Sequence, residues 1–235
     1  MSSLEALIAS SGEQNLLEQL SFDLPAASSA IVDRKTLVRS YPTSASTISP
    51  TGNRTCRLRL GGDGWCDTSS VRLVYTLTNT DASKPLSPAS GPWCPISLLR
   101  ESSSGVETCN IPSYNRFHEL HGFRLTSQEN KFTEAMYGWG GSWSGGAHPT
   151  QGVILPNASI QVSFKPLTTI FTSGKIIPCR WMPTELEITA APASEWCNLT
   201  VTLPGAGSPV DASQSYTISS IQLLYSSISL DEAVS

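Results

Sequence analysis

Two imidazoles stand three residues apart in the segment Tyr114-Asn-Arg-Phe-His-Glu-Leu-His121, with the Glu119 carboxylate between them. Neutral imidazole and carboxylate are ordinary ligands of a divalent metal. The spacing argues against a hydrolytic zinc centre, because such a helix carries His-Glu-x-x-His so that both rings face one ion. A third ligand would have to come from His148 or Asp63. The plainer reading is a short helix packed at the surface. No Gly-x-Ser-x-Gly elbow, phosphate-binding Gly-Lys-Ser/Thr loop or dinucleotide fingerprint occurs in the chain. A cupin-type metal site needs His-x-His with a later Glu and His, and the three histidines here lack that spacing. Neither catalysis nor a cofactor is expected.

Tryptophan and glycine cluster in Tyr137-Gly-Trp-Gly-Gly-Ser-Trp-Ser-Gly-Gly146. The run is too flexible for a regular element and too aromatic for a plain linker, so it reads as a long exposed loop. Trp139 and Trp143 have two uses there. They would stack on the apolar face of a sugar, with Asp63 and Asn53 as polar contacts, which is the lectin-like carbohydrate-binding alternative. Or they bury against a neighbouring subunit, where aromatic residues are enriched. Trp65 and Trp93 fall in predicted loops as well, and exposed indoles are a liability unless a partner covers them.

The six cysteines, Cys56, Cys66, Cys94, Cys109, Cys179 and Cys197, never take Cys-x-x-Cys spacing, so no zinc knuckle or redox motif is present. They lie in or beside predicted strands and read mostly as small buried apolar residues, with a Cys56–Cys66 disulfide as the alternative.

The elements that must hold these residues are β-strands. Charged residues make up 14% of the 235, against about 25% in an average soluble domain. Much of the surface is therefore Ser, Thr, Gly and Asn, or is covered by partners. A net charge of -4 offers no general attraction for nucleic acid, so contact with a packaged genome is expected to be weak or indirect. No charged-then-apolar leader and no membrane-spanning run is expected.

Residues 1–36 stand apart. Leu4, Leu7, Ile8, Leu16, Leu17 and Leu20 recur at helical spacing with Glu5, Glu13 and Glu18 on other faces, which predicts an arm of short amphipathic helices docking on a neighbour. From Leu37 the pattern is β. Alternating or β-branched runs occur at Leu37–Tyr41, Cys56–Leu60, Ser70–Thr78, Ile96–Arg100, Val106–Ile111, Ser159–Lys165, Thr184–Thr189, Asn198–Leu203 and Ile218–Leu230, with Gly, Pro, Ser and Asn between them. Ser102-Ser-Ser-Gly105 suits a hairpin, Tyr114–Phe123 a short helix, and the two phases of the last run a bulge near Ser226. The expected fold is all-β: a jelly-roll sandwich of about eight antiparallel strands in two sheets over residues 37–235, preceded by the helical arm.

The order of three segments, Tyr41-Pro-Thr-Ser-Ala-Ser46, Tyr114-Asn-Arg-Phe-His-Glu119 and Gly174-Lys-Ile-Ile-Pro178, together with the strand Ser70–Thr78, resembles the jelly-roll major capsid proteins of the double-jelly-roll viral lineage. The resemblance spans residues 37–231. It implies a structural capsid protein, upright jelly rolls assembling as trimers of pseudo-hexagonal outline, and an icosahedral shell enclosing a genome, built in the host cell and located in the virion. It also implies that the partners are copies of the chain itself. The departure is length, because one roll uses up this chain where the lineage carries two. It is either a single-roll relative or one half whose partner roll is a separate polypeptide or a product cleaved from the same precursor. The intersubunit contacts expected are Leu4, Leu7, Leu16, Leu17 and Leu20 of the arm, with Trp65, Trp93, Trp139 and Trp143.

Overall fold

The computed structural model describes residues 32–62, 64–122, 153–203 and 208–230. Contacts group Arg34–Ser229 into one compact unit. Eleven strands, one α-helix and a short 3-10 helix at Ala193–Glu195 are described: β1 (Val32–Ser40), β2 (Thr55–Leu60), β3 (Trp65–Asn79), β4 (Ile96–Ser103), β5 (Val106–Pro112), α1 (Tyr114–Gly122), β6 (Ser159–Phe164), β7 (Ile176–Pro178), β8 (Thr184–Ala190), β9 (Thr200–Val201), β10 (Val210–Asp211) and β11 (Tyr216–Leu230). One sheet has the order β1-β11-β3-β6, with β7 also pairing β3; the second has the order β2-β8-β4-β5; β9 and β10 form a separate ribbon. The architecture is a jelly-roll β-sandwich. Strand β1 begins at Val32, ahead of the expected start at Leu37. The expected helices of the arm lie outside the described residues.

Alternation builds the four-stranded sheet. In β2, Cys56, Leu58 and Leu60 point inward and Thr55, Arg57 and Arg59 outward. Strand β8 answers with Leu186, Ile188 and Ala190 inside and Glu185 and Glu187 outside. The register sets Arg57 against Glu187, so the inward set meets the core while the outward set pairs charge with charge. Arg57 Nε lies 2.7 Å from Glu187 Oε2, and Arg100 reaches both Glu107 at 2.9 Å and Glu187 at 3.8 Å. Such exposed pairs contribute about 0–1 kcal/mol each, so their main effect is register. The inner faces carry the energy: Leu58, Leu73, Leu77, Phe164, Leu186 and Leu223 are fully buried, each contributing roughly 1.5–3 kcal/mol by its removal from water.

Strand β3 is longer than its alternation suggests. Val71, Leu73, Tyr75 and Leu77 are buried in one phase, but Cys66 and Thr68 are buried in the other. The phase changes at a bulge, where the pairing with β11 jumps from Arg72↔Leu224 to Asp67↔Ser226. Side chains stitch the irregularity: the Ser69 N–H donates to Asp67 Oδ1 at 3.0 Å, the Ser70 hydroxyl to the Asp67 carbonyl at 2.6 Å, and the Ser226 N–H to Ser70 Oγ at 2.8 Å. The expected bulge near Ser226 is therefore present, with its partner irregularity on β3. Past it, Trp65–Asp67 pair with β7.

The β4–β5 hairpin turns through Ser104 and Gly105, at φ 50° and 80°, the two positive values that a type I′ turn requires. Strand β4 also carries an exception. Glu101 lies on its inward face and is fully buried, where alternation calls for an apolar residue. Its carboxyl accepts from the Thr168 hydroxyl at 2.6 Å, the Ile170 N–H at 3.2 Å and the Thr108 hydroxyl at 3.1 Å. Thr168 and Ile170 belong to the connection between β6 and β7, so this one side chain on the second sheet holds a connection of the first. Replacing it leaves buried donors without partners. Glu101→Ala is expected to lower unfolding stability by about 3 kcal/mol in urea titrations, and Glu101→Gln, which keeps an acceptor, by clearly less.

Candidate assembly surface

The connection that Glu101 holds leads through Gly174 (φ 67°) into the three-residue strand β7 and then to Trp181. Trp181 is 64% exposed. Its ring meets Trp65 edge-on, with centroids 6.3 Å apart, and the Arg180 guanidinium sits 5.8 Å from its centroid. The β4–β5 turn closes on the same segment: the Ser104 N–H donates to the Pro183 carbonyl at 3.0 Å and the Ser104 hydroxyl to the Trp181 carbonyl at 3.4 Å. Val106 just after that turn and Ile176 on β7 are more than half exposed. Aromatic, aliphatic and cationic side chains thus gather around one loop pair, the mixture that anchors protein contacts.

A second exposed apolar face lies on α1. The helix buries Tyr114, Asn115 and His118 and leaves Phe117 and Leu120 exposed one turn apart. It is held from outside by Arg116, which donates to the Glu195 carbonyl at 2.9 Å and pairs with Glu119 at 3.4 Å.

Among the expected contact residues, Trp65 is half-buried and belongs to the surface just described. Trp93 does not. It is 7% exposed, and its indole lies flat on the His118 imidazole, 3.9 Å between centroids and 19° between planes. The expectation that Trp93 is an exposed contact is corrected: a stacking partner distant in sequence draws it into the core. Gly91 makes room for it, since a Cβ there would stand 2.5 Å from the indole. Leu4, Leu7, Leu16, Leu17, Leu20, Trp139 and Trp143 lie outside the described residues, as do Asp63 and His148. Trp181 was not anticipated, because Arg180-Trp181-Met182-Pro183 has no periodicity and its exposure depends on where β7 ends.

His118 is packed and not poised for metal. Tyr114 and Phe164 meet its ring edge-on at 5.6 and 5.8 Å, and His121 stands 6.5 Å away. Among the described residues no three His, Cys, Asp or Glu side chains converge as a metal site requires. Burial pushes the His118 pKa down from 6.5 to about 3. The cysteines are free thiols, so the Cys56–Cys66 disulfide is not formed, and all but Cys109 are buried. Burial pushes Cys56 and Cys197 up to about 12. The groove on the outer face of the second sheet, lined by Arg57, Arg100, Ser102, Gly105, Glu107, Glu185 and Glu187, has more acid than base and is unsuited to phosphate. No described helix is long and apolar enough to cross a membrane.

Two outcomes follow from this packing. Trp93→Ala should cost about 3–5 kcal/mol of stability in denaturant titrations, whereas Trp181→Ala should stay within about 0.5 kcal/mol of the parent. Between pH 6.5 and about 3 the unfolded chain binds a proton at His118 that the folded chain refuses. Stability should therefore fall on acidification by about 1.4 kcal/mol per pH unit from this residue alone. His118→Phe should remove that component of the pH profile when the two proteins are unfolded in parallel.

No protein-family model matches the chain, and no curated protein does. Solved structures do. The crystal structure of VP54 of the virus PBCV-1, fitted into a reconstruction of the virophage Sputnik, superposes with a TM-score of 0.50 at 12% identity over 85% of this chain and 43% of that one. A quasi-atomic model of the PBCV-1 virus capsid gives 0.49 at 13%, with coverages of 85% and 43%. The catalytic unit of an α-1,3-glucanase from Streptomyces thermodiastaticus gives 0.25 at 10%, covering 86% of this chain and 28% of that one. The chain spans less than half the length of the capsid proteins it matches. The likeness to VP54 shows the fold, a jelly-roll sandwich of the kind found in that capsid protein.

Proposed function

We propose that this chain is a structural capsid protein that assembles with copies of itself into the shell of a virion. The observation that carries the reading is the superposition of most of the chain on VP54, a protein of a virus capsid. The surface supports it. A monomer gains nothing from an indole 64% exposed beside a cation and two exposed aliphatic residues, whereas a subunit contact uses that combination. Few charges and many hydroxyls let subunits meet through hydrogen bonds without stripping water from ions.

In this reading the Trp65–Trp181 surface and the exposed face of α1 join subunits, together with the arm leucines and the Trp139 and Trp143 loop. The rolls stand upright in trimeric capsomers, and a closed icosahedral shell encloses the genome. The chain matches 43% of VP54, so a second roll completes each capsomer position. Negative-stain images of the purified chain should contain capsomer-sized rings or shells, and a strictly monomeric light-scattering profile at high concentration would overturn the reading. Trp181→Ala should weaken association about tenfold or more while leaving the fold intact.

A further inference from the structure

Strand β3, having passed its bulge, sets Cys66 directly opposite Ile177 of β7, and the Cys179 N–H closes on the Gly64 carbonyl at 3.1 Å. Opposed residues of an antiparallel pair share a face, as do residues two apart on one strand. Cys66, Ile177 and Cys179 therefore all point inward, and all three are buried. The register makes Cys66 and Cys179 diagonal neighbours on that buried face, and the Cys179 thiol also points back to the Ile177 carbonyl at 4.0 Å.

We infer that Cys66 and Cys179 form a reversible disulfide on exposure to peroxide, a covalent lock between β7 and β3 beside the Trp65–Trp181 surface. Hydrogen peroxide is small enough to reach sulfurs that larger oxidants cannot. Cys179 is the nucleophile: the hydrogen bond from Cys66 holds its thiol below the usual range against the opposing effect of burial, while the same bond and burial raise Cys66. The Cys179 thiolate attacks one peroxide oxygen and breaks the O–O bond, forming a sulfenic acid; the departing hydroxide and the Cys179 proton make water. Cys66 then attacks the sulfenic sulfur, the S–S bond forms, and the expelled hydroxide leaves with the Cys66 proton as a second water. Two thiols lose two electrons and peroxide gains them. Dithiothreitol restores the pair by exchange.

The remaining cysteines provide the contrast. Cys56, Cys94 and Cys197 are held as thiols by burial, and Cys109 is half-exposed on edge strand β5. The lock matters because β7 is held to its sheet by only three residue pairs, while the covalent bond closes a loop of over a hundred residues.

The test treats the native, fully reduced chain with hydrogen peroxide, quenches it with an alkylating agent in denaturant, and maps peptides by mass spectrometry. Expected are a peptide joining Cys66 to Cys179, lighter by two hydrogen atoms than its two free-thiol peptides together, two fewer alkyl groups on the chain, reversal by dithiothreitol, and a Tm raised by several degrees. Cys66→Ala should leave Cys179 as a sulfenic or further oxidised acid, and Cys179→Ala should leave Cys66 reduced. Cross-links between other cysteines, or Cys66 and Cys179 still alkylatable once Cys109 is oxidised, would overturn the inference. If either variant fails to fold, the wild-type peptide map decides alone.

Discussion

A single buried carboxyl organises the part of this sandwich that faces outward. Among the described residues, neutral donors on Thr168, Ile170 and Thr108 surround the Glu101 carboxyl. A carboxyl inside a sandwich is costly to bury unless its acceptor sites are filled. Filling them requires the β6–β7 connection to lie against β4, where Tyr114 adds a further anchor by accepting the Leu167 N–H at 3.0 Å. From that anchored connection the chain emerges at Gly174 and pairs briefly as β7. It then delivers Cys179 to Cys66 and Trp181 to Trp65. The exposed loop pair and the buried thiol pair thus both descend from one side chain on the opposite sheet.

The two faces of the second sheet divide the labour. Its inner face is aliphatic and supplies stability; its outer face is a lattice of Arg57, Arg100, Glu107 and Glu187 that neutralises itself. Self-neutralised charge is a poor magnet for nucleic acid and a good guard against strand slippage, since a shift of one residue would send the leucines outward. Exposed large apolar side chains sit instead near the turns, on α1, at Leu199 beside the β9–β10 ribbon and at Leu37 on edge strand β1. This separation of a rigid interior from variable loop ends lets a jelly roll serve as a building block.

Where strands alternate strictly, as in β2, β6 and β8, residue type alone indicates strand and face, because period-two patterning has one solution that keeps water off the leucines. The hairpin at Ser104–Gly105, helix α1 and the bulge near Ser226 were likewise legible, each from local chemistry: positive φ, a run free of glycine and proline, and a change of phase. Strand β7 was not, since Ile-Ile-Pro is too short to show a period and exists only because the far half of β3 offers it an edge. Trp93 was misplaced for a related reason. Its neighbours in sequence are loop formers, and only the arrival of His118 from α1 and the space at Gly91 make burial the favourable state.

What the chain determined by itself is therefore the class of the fold and most of its strands, consequences of composition and short-range pattern. Tertiary structure decided which indole is core and which is surface, that a glutamate belongs inside, and that two of six cysteines become neighbours on one buried face. Those are contacts between segments far apart in sequence, and no local preference encodes them. They are set by the shape left over when two sheets close on one another.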